Sequence, residues 1–386
     1  MPSDLLRSLD SICEDLGISP RYLAALAEAA PGLYRVFDLP KKSGGVRTIC
    51  VPADNLKNIQ RLILDAMLSK VEMPEHVHGG VKGRSIATNA AGHVGKPLVI
   101  NIDLADFFGS VSSDIVNGIF KSTFDLAPRA SEIFTALTTY AYSLPQGAPT
   151  SSVLANLAAL GLDEQLMQIC RSYSRNVEVS YSRYVDDITI SGDRDLAIAI
   201  PELYKAINDN GFRTNPKKLK VAGQNYRQKV TGITVNEKAS APKKLIRKVR
   251  QQLHYCLEYG LDSHCERVGI ETDVFFAQIK GMIGFIRMTR PELADQLDLQ
   301  LLESKNNSVE LLLNESAQKV HLLRRIIGKE KLATFVYNGI PRRVAPSELV
   351  LDSEGVMFLK AFQLEPAQRW QEFRVLHIES LAMVEA

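Results

Sequence analysis

Hydrophobic and polar positions follow two different periods along this chain. Apolar residues recur every three to four positions over 3–30 and again over 55–71, and this spacing is typical of helices that bury one face. The segment YRVFDLPKKSGGVRTICVP (34–52) has two β-like runs around a Lys-Lys-Ser-Gly-Gly turn, which predicts a hairpin. The run LVINIDL (98–104) is apolar and rich in β-branched residues, as expected of a strand that is buried on both faces.

The sequence after this strand predicts a series of further helices and strands. They are helices over 113–120, 130–140 and 152–172, two strands with a tight turn over 177–193, a helix over 193–210, a strand over 219–221 and a hairpin over 229–235. With the strand at 98–104, this is the β-α-β-β-α-β arrangement of a ferredoxin-like domain. Beyond Ala241 the pattern is helical to about Gly328, and the last residues form a small separate extension. The predicted fold class is α+β.

Composition and charge narrow the classes of function. The 386 residues carry a net charge of only +2, but the segment 211–250 holds twelve Lys or Arg residues and one acid, Glu237. A basic block inside a folded chain suggests a surface that follows phosphates, although a solvated helix face is an equal alternative. The five scattered cysteines include no CxxC pair, so a reducing cytoplasm is expected.

Membrane insertion is not expected. The N-terminus has acids in its first turns and lacks the apolar core of a signal peptide. The uncharged run 133–162 is long enough to span a bilayer, but it contains Pro145, Gly147 and Pro149 and many hydroxyl residues. A polar loop that leads into a buried helix fits this run better.

Three carboxylates carry the candidate chemistry. Asp103 lies at the end of the apolar strand, and Asp186 and Asp187 lie in the turn between two later strands. Such carboxylates repel one another unless cations neutralise them, and hard oxygen ligands suit Mg²⁺. Two Mg²⁺ ions can activate an attacking hydroxyl and stabilise the leaving oxygen in a phosphoryl displacement. Taken alone, two aspartates in a β-turn are often only turn chemistry.

Five sequence motifs follow one another along the chain. They are the hairpin segment 34–52, NIDLADFF (101–108), LPQGAPTSSVLANL (144–157), SRYVDDITIS (182–191) and GFRTNPKKLK (211–220). This set resembles the fingers motifs and motifs A to D of the reverse transcriptase family. Asn89-Ala90-Ala91-Gly92-His93 and Val230-Thr231-Gly232 resemble two signatures of the bacterial retron reverse transcriptases. The chain departs from the pattern at Val185, where retron enzymes usually have Ala, and at Ser152, where Pro is usual.

The resemblance implies roles for the metal-binding residues. Asp103 and Asp186 would bridge two Mg²⁺ ions, Asp187 would complete the site, and the Leu104 carbonyl would be a further ligand. Lys218 would protonate the leaving pyrophosphate, with a template-phosphate contact as the alternative.

The resemblance also implies residues that bind the incoming deoxynucleoside triphosphate. Phe108 would lie against the 2′ carbon of its sugar and exclude a ribonucleotide, with a plain core role as the alternative. Gln146 and Gly147 would lie along the nucleotide, and Arg47, with Lys41 or Lys42, would bind the triphosphate.

Two further sets of residues are candidates for RNA binding. Asn89 and His93, four residues apart on a predicted helix, share one face, and they would contact RNA or the junction of fingers and palm. Lys243, Lys244, Arg247 and Lys248 form a basic helix that suits the phosphates of an RNA stem.

The resemblance implies a right-hand polymerase in four parts. These are N-terminal helices and fingers (1–97), a ferredoxin-like palm (98–240), a helical RNA-binding thumb (241–328) and a C-terminal extension (329–386) that is a candidate for partner docking. The implied enzyme is an RNA-directed DNA polymerase that copies its own structured noncoding RNA from a guanosine 2′-hydroxyl. The product is a branched, RNA-linked single-stranded DNA (msDNA). An effector protein encoded nearby, a host RNase H and a role in defence against phage are also implied.

Two other functions stay open at this point. One is another bacterial reverse transcriptase, either protein-primed as in abortive infection or of the group II intron type. The other is a scaffold whose main task is to hold RNA, DNA and an effector together.

Overall fold

A computed structural model of the chain describes residues 6–41, 44–174, 176–351 and 357–384, without the side chains of 306–318, 328, 351 and 376. The chain divides into two units, 1–242 and 243–386. The four parts predicted from the sequence divide the chain more finely than these units, and their boundaries stay a prediction.

The first unit begins with helices around the predicted hairpin. Its elements up to residue 91 are α1 (Leu9–Leu16), α2 (Pro20–Ala29), β1 (Tyr34–Pro40), β2 (Val46–Pro52), α3 (Asp54–Ala66) and α4 (Ile86–Ala91). Strands β1 and β2 pair antiparallel along their whole length, from Tyr34 opposite Pro52 to Pro40 opposite Val46. Helix α4 begins with a capping box, in which Ser85 and Thr88 each accept the other's backbone N–H. The hairpin prediction is confirmed.

The core sheet and its helices follow. The elements are β3 (Leu98–Ala105), α5 (Ser113–Thr123), α6 (Pro128–Thr138), α7 (Ser151–Ala158), α8 (Leu160–Tyr173), β4 (Ser180–Tyr184), β5 (Asp187–Gly192), α9 (Ile200–Asp209), β6 (Arg213–Thr214), β7 (Lys220–Gly223), β8 (Lys229–Val230) and β9 (Ile233–Thr234). Strand β3 is buried at the centre, with β5 and then β4 on one side and β6 and β7 on the other. All of these pairings are antiparallel. This is the ferredoxin-like order expected from the sequence.

Two predicted helices are interrupted. The helix predicted over 152–172 is two helices, α7 and α8, that meet at Ala159. The segment predicted as a helix over 193–210 begins as a 3₁₀ helix over Arg194–Ala199 and becomes α-helical only at Ile200. Pro201 in the first turn of α9 has no backbone N–H to donate, and it therefore favours a helix start at the second break.

The second unit consists of helices followed by a sheet. Its elements are α10 (Lys243–Tyr259), α11 (Leu261–Val268), α12 (Thr272–Arg287), α13 (Pro291–Gly328), β10 (Leu332–Tyr337), β11 (Ile340–Leu351), β12 (Met357–Glu365), β13 (Arg369–Arg374) and β14 (Ile378–Val384). The strands form one antiparallel sheet in the order β13-β12-β11-β10-β14. Leu323 and Ile326 of α13 share a buried cluster with Phe335 and Phe373 of the sheet. The sequence pattern does not predict this sheet, which packs on α13 and is not a separate extension.

None of the helices in the described ranges is both long and apolar enough to cross a membrane.

Candidate active site

Three aspartates meet where β3 ends. Asp103 lies directly opposite Asp187 in the β3–β5 register. The backbone N–H of Leu104 donates to the Asp186 carbonyl at 2.9 Å, which ties the β4–β5 turn to β3. All three aspartates line a cavity of about 1280 Å³ together with Leu104. The structure therefore brings together the carboxylates that the sequence placed in separate motifs.

The turn that carries Asp186 has an unusual backbone. Tyr184 pairs with Asp187, so Val185 and Asp186 form a two-residue turn. Val185 has φ +58°, in the left-handed region that a β-branched residue rarely adopts. Such a conformation persists only where the surrounding structure holds it.

The electrostatics of the cluster favour a bound cation. Burial, with the charge of Asp103, raises the pKa of Asp186. Burial, with the charges of Asp186 and Asp103, raises the pKa of Asp187 to about 6. Both shifts arise chiefly from burial and, after it, from the like charge of the neighbouring aspartates, so a bound cation would stabilise the ionised carboxylates.

Lys218 supplies the nearest positive charge. Its Nζ donates to Oδ1 and Oδ2 of Asp103 at 2.7 and 2.9 Å, and this hydrogen bonding raises the pKa of Lys218. Within the described residues, no group of three or more His, Cys, Asp or Glu side chains is arranged so that it could hold a metal ion by itself. The oxygen donors and the excess charge nevertheless fit a divalent cation. Lys218 would compete with that cation for Asp103.

Most of the residues expected to bind the nucleotide line the cavity that contains the three aspartates. Arg47, Phe108 and Gln146 line the same cavity as the aspartates, as does Lys41, whereas Lys42 lies outside the described residues. Phe108 is half-buried, and its neighbour Phe107 is only 3% exposed and belongs to the core. Phe107 is therefore a core residue, whereas the sugar-contact role of Phe108 stays a prediction.

Gly147 is close to β2 rather than to the cavity. Its φ is +130°, and a Cβ there would lie 2.9 Å from the Cys50 carbonyl oxygen. The adjacent Gln146 carbonyl accepts a hydrogen bond from the Cys50 N–H at 2.9 Å. The close approach that this glycine permits in the structure is therefore to the β2 backbone.

Asn89 and His93 are in the interior, which corrects the expectation that they contact RNA. Each is 1% exposed. The His93 ring nitrogens lie 2.7 Å from the hydroxyls of Ser191 and Ser182, and the Asn89 side chain donates to Thr231 Oγ1 at 3.4 Å. Helix α4 also ends at Ala91, so the two residues do not share a helix. Asn89 thus joins α4 to the β8–β9 hairpin, and His93, just beyond α4, contacts strands β4 and β5 of the core sheet.

The basic residues at the start of α10 are exposed. Lys243, Lys244, Arg247 and Lys248 all face solvent. Ile246 and Val249 of the same helix are buried. The positive face predicted from the sequence is therefore accessible.

A buried charge pair was missed by the sequence analysis. Arg183 and Asp163 are both fully buried and form an ion pair at 2.7 Å directly behind the turn of Asp186. The sequence gives little signal of this pair, because Arg183 lies in the polar run SYSRY of β4, where an arginine is normally expected to be exposed.

The sequence comparison decides the family. The family profile for reverse transcriptase (RNA-dependent DNA polymerase) matches residues 39–235, which is just over half of the chain and includes all three aspartates. The chain belongs to the reverse transcriptase family. Its α+β fold is therefore the right-hand polymerase fold, and residues 39–235 form an RNA-directed DNA polymerase domain.

Curated relatives place this reverse transcriptase among the retron enzymes. It is 34% identical over 283 residues to the Retron Mx65 reverse transcriptase of Myxococcus xanthus, covering 68% of this chain but only 63% of that protein. It is 31% identical over 269 residues to the Retron Ec86 reverse transcriptase of Escherichia coli, covering 68% of this chain and 82% of that protein. A solved telomerase from Candida albicans, in complex with a fragment of telomeric RNA, is 11% identical with a TM-score of 0.42; the match covers 74% of this chain and 61% of that one.

Proposed function

We propose that this reverse transcriptase copies a cognate structured noncoding RNA into DNA and uses a guanosine 2′-hydroxyl of the RNA as primer. The product would be msDNA, a branched, RNA-linked single-stranded DNA made from deoxynucleoside triphosphates. The observation that supports this proposal is the meeting of Asp103, Asp186 and Asp187 in one cavity of a chain related to retron enzymes. The proposal assigns fingers to 1–97, palm to 98–240, thumb to 241–328 and a partner-docking extension to 329–386.

The proposed mechanism uses the residues of the cavity. Asp103, Asp186, Asp187 and the Leu104 carbonyl would hold two Mg²⁺ ions, which supply activation of the attacking hydroxyl and stabilisation of the leaving oxygen. Arg47 would bind the triphosphate through its planar guanidinium, and Gln146 would lie along the nucleotide. Lys218, whose Nζ is already within the cavity, would donate a proton to the leaving pyrophosphate.

The priming reaction is tested on the nucleic acid that the protein carries. We expect the chain, expressed with its flanking noncoding locus and purified, to hold a discrete DNase-sensitive species. Its mobility on a denaturing gel should change after treatment with RNase and with a debranching enzyme, since a 2′–5′ branch joins RNA to DNA. A DNA that is covalently attached to protein would contradict 2′-hydroxyl priming and favour a protein-primed enzyme.

The proposed role of α10 in RNA binding makes a second prediction. Replacing Lys244 and Lys248 together by alanine should weaken binding of the cognate RNA by about tenfold, because two phosphate contacts are lost. The slope of log affinity against log salt concentration should also fall by roughly 1.5. The measurement is a filter-binding titration between 50 and 300 mM salt.

A matched pair of lysines is the control for this prediction. Lys70 and Lys121 are exposed in the first unit and lie outside the basic face of α10. Their double alanine variant should keep the wild-type affinity and salt slope. Equal losses in both double variants would mean that RNA responds to total charge and not to α10.

The proposed biological setting completes the function. The polymerase would act in the cytoplasm with an effector protein encoded nearby, in defence against phage. A host RNase H would remove the copied RNA from the hybrid. The support for this setting is the resemblance to retron enzymes.

A further inference from the structure

A single buried arginine connects three structural elements behind the catalytic turn. Arg183 lies on β4, three residues before Asp186, and its side chain is 0% exposed. Its Nε and one terminal nitrogen donate to the two carboxylate oxygens of Asp163 on α8, at 2.8 and 2.7 Å. Tyr181 also donates to this carboxylate, at 2.6 Å. The Asp163 carboxylate thus accepts a bidentate contact from Arg183 and a hydrogen bond from the Tyr181 hydroxyl.

The other terminal nitrogen of Arg183 is directed at the turn itself. It donates to Asn156 Oδ1 at 2.8 Å and to the Val185 carbonyl at 3.2 Å. Asn156, on α7, in turn donates to the Gly79 carbonyl at 2.8 Å. The guanidinium therefore joins α7 and α8, across their break at Ala159, to the backbone of the residue that precedes Asp186.

The segment 76–79 holds the same turn from another side. The backbone of Arg183 donates to His76 O and accepts from His78 N, both at 2.8 Å. A Cβ at Gly79 would lie 2.5 Å from both Val185 N and Val185 Cγ2, so only glycine permits this approach. Val185 is thus enclosed in its left-handed conformation by Gly79 on one side and by the Arg183 contact on the other.

Arg183 also contacts the wall of the nucleotide cavity. Its guanidinium carbon lies 5.6 Å from the centre of the Phe107 ring, in cation–π range. Phe107 is in ring contact with Phe108, with 5.8 Å between centroids. One buried cation therefore touches elements that carry motifs A, B and C.

We propose that Arg183 is a positioning residue for Asp186: with Asp163 and Asn156 it holds the Val185 carbonyl and so maintains the strained turn that presents the catalytic carboxylate. A buried ion pair is weak evidence for added stability, because apolar residues of similar volume often replace one without loss. Its function here is geometric. The inference rests on the proposed polymerase mechanism, in which Asp186 binds metal.

The test compares variants that remove the ion pair without leaving a buried charge. In the double variant Arg183→Met with Asp163→Leu, kcat on a primed homopolymer RNA template should fall, or the Mg²⁺ concentration for half-maximal rate should rise, by about 10- to 100-fold. That is the range for groups that orient metal ligands. Template affinity and the circular dichroism spectrum should stay at wild-type values. Thr138→Val, which removes a buried hydroxyl in α6 that bonds only within its helix, is the control and should keep both kinetic values.

A compensating substitution separates positioning from general packing. Glycine adopts φ near +60° without strain, so Val185→Gly added to the double variant should restore kcat or the Mg²⁺ requirement at least about fivefold. A purely structural role for the ion pair predicts wild-type kinetic values for the folded double variant and no gain from glycine. Either result would overturn the proposal.

A second approach applies if the double variant does not fold. Gly79→Ala displaces the turn from its other face and should raise the Mg²⁺ requirement in the same way, whereas Gly92→Ala, with nothing within 4 Å of the added Cβ, should not. An unchanged Mg²⁺ requirement in Gly79→Ala would overturn the proposal. Wild-type protein without Mg²⁺-dependent DNA synthesis would instead overturn the polymerase mechanism, so the two failures are distinguishable.

Discussion

Asp103→Asn is expected to reduce DNA synthesis on a primed RNA template by on the order of 10³-fold, which is the size of effect seen when a preorganised electrostatic group is removed. Asparagine keeps the shape of the side chain but has no charge with which to hold Mg²⁺ or to pair with Lys218. The measurement is single-turnover extension of a primer at saturating nucleotide.

The same variant should keep its fold. The pKa of Asp187 is raised to about 6 in the folded protein. Protonation of Asp187 therefore stabilises the folded state at low pH, and this stabilisation is lost as the pH rises through this value. At pH 7.5 the carboxylates repel one another, and the asparagine substitution removes one of the charges. The lost Asp103–Lys218 ion pair contributes little, because the Lys218 side chain is 51% exposed. The unfolding temperature of the metal-free variant should therefore not fall below that of the wild type.

Asp195→Asn is the control for this prediction. Asp195 is exposed at the start of the 3₁₀ segment before α9 and lies outside the cavity. Its variant should synthesise DNA at the wild-type rate. If Asp103→Asn kept more than a tenth of the wild-type rate, Asp103 would not be a metal ligand.

Phe108→Val should increase incorporation of ribonucleotides relative to deoxyribonucleotides by about 100-fold, within the range that pocket shape alone can supply. The half-buried ring lines the cavity beside Asp103, where it would block the 2′-hydroxyl of a ribonucleotide. Valine leaves that space open, and DNA synthesis itself should continue. The measurement is the ratio of kcat/KM for each ribonucleotide and its deoxy counterpart.

Phe124→Val is the matched control. Phe124 is a half-buried ring at the end of α5 that packs on the core but does not line the cavity. Its variant should lose some stability and keep the wild-type selectivity. Unchanged selectivity in Phe108→Val would mean that this ring is part of the core and does not select the sugar.

Local pattern predicted the parts of the fold that depend on near neighbours. The hairpin of β1 and β2, the buried strand β3 and the ferredoxin-like order were all predictable from the sequence, because hydrophobic periodicity and turn residues are local properties. The sheet at the end of the chain was not. Strand β11 contains Pro341 and Pro346, which argue against a strand, and its register shifts between Pro346 and Glu348. On β12, apolar Phe358 and Phe362 lie on the opposite face from the buried Leu359 and Ala361, so the alternation is hidden.

The candidate site likewise contains some residues that the sequence could predict and others that it could not. Motif spacing was enough to predict that Asp103, Asp186 and Asp187 act together, because each motif is a short segment with its own chemistry. Tertiary structure alone decided that His93 faces Ser182 and Ser191 instead of RNA, and that Arg183 finds Asp163 in the core. The physical reason is that polarity in a sequence indicates exposure, whereas the position of a buried polar side chain depends on partners that only the folded chain brings within hydrogen-bonding distance.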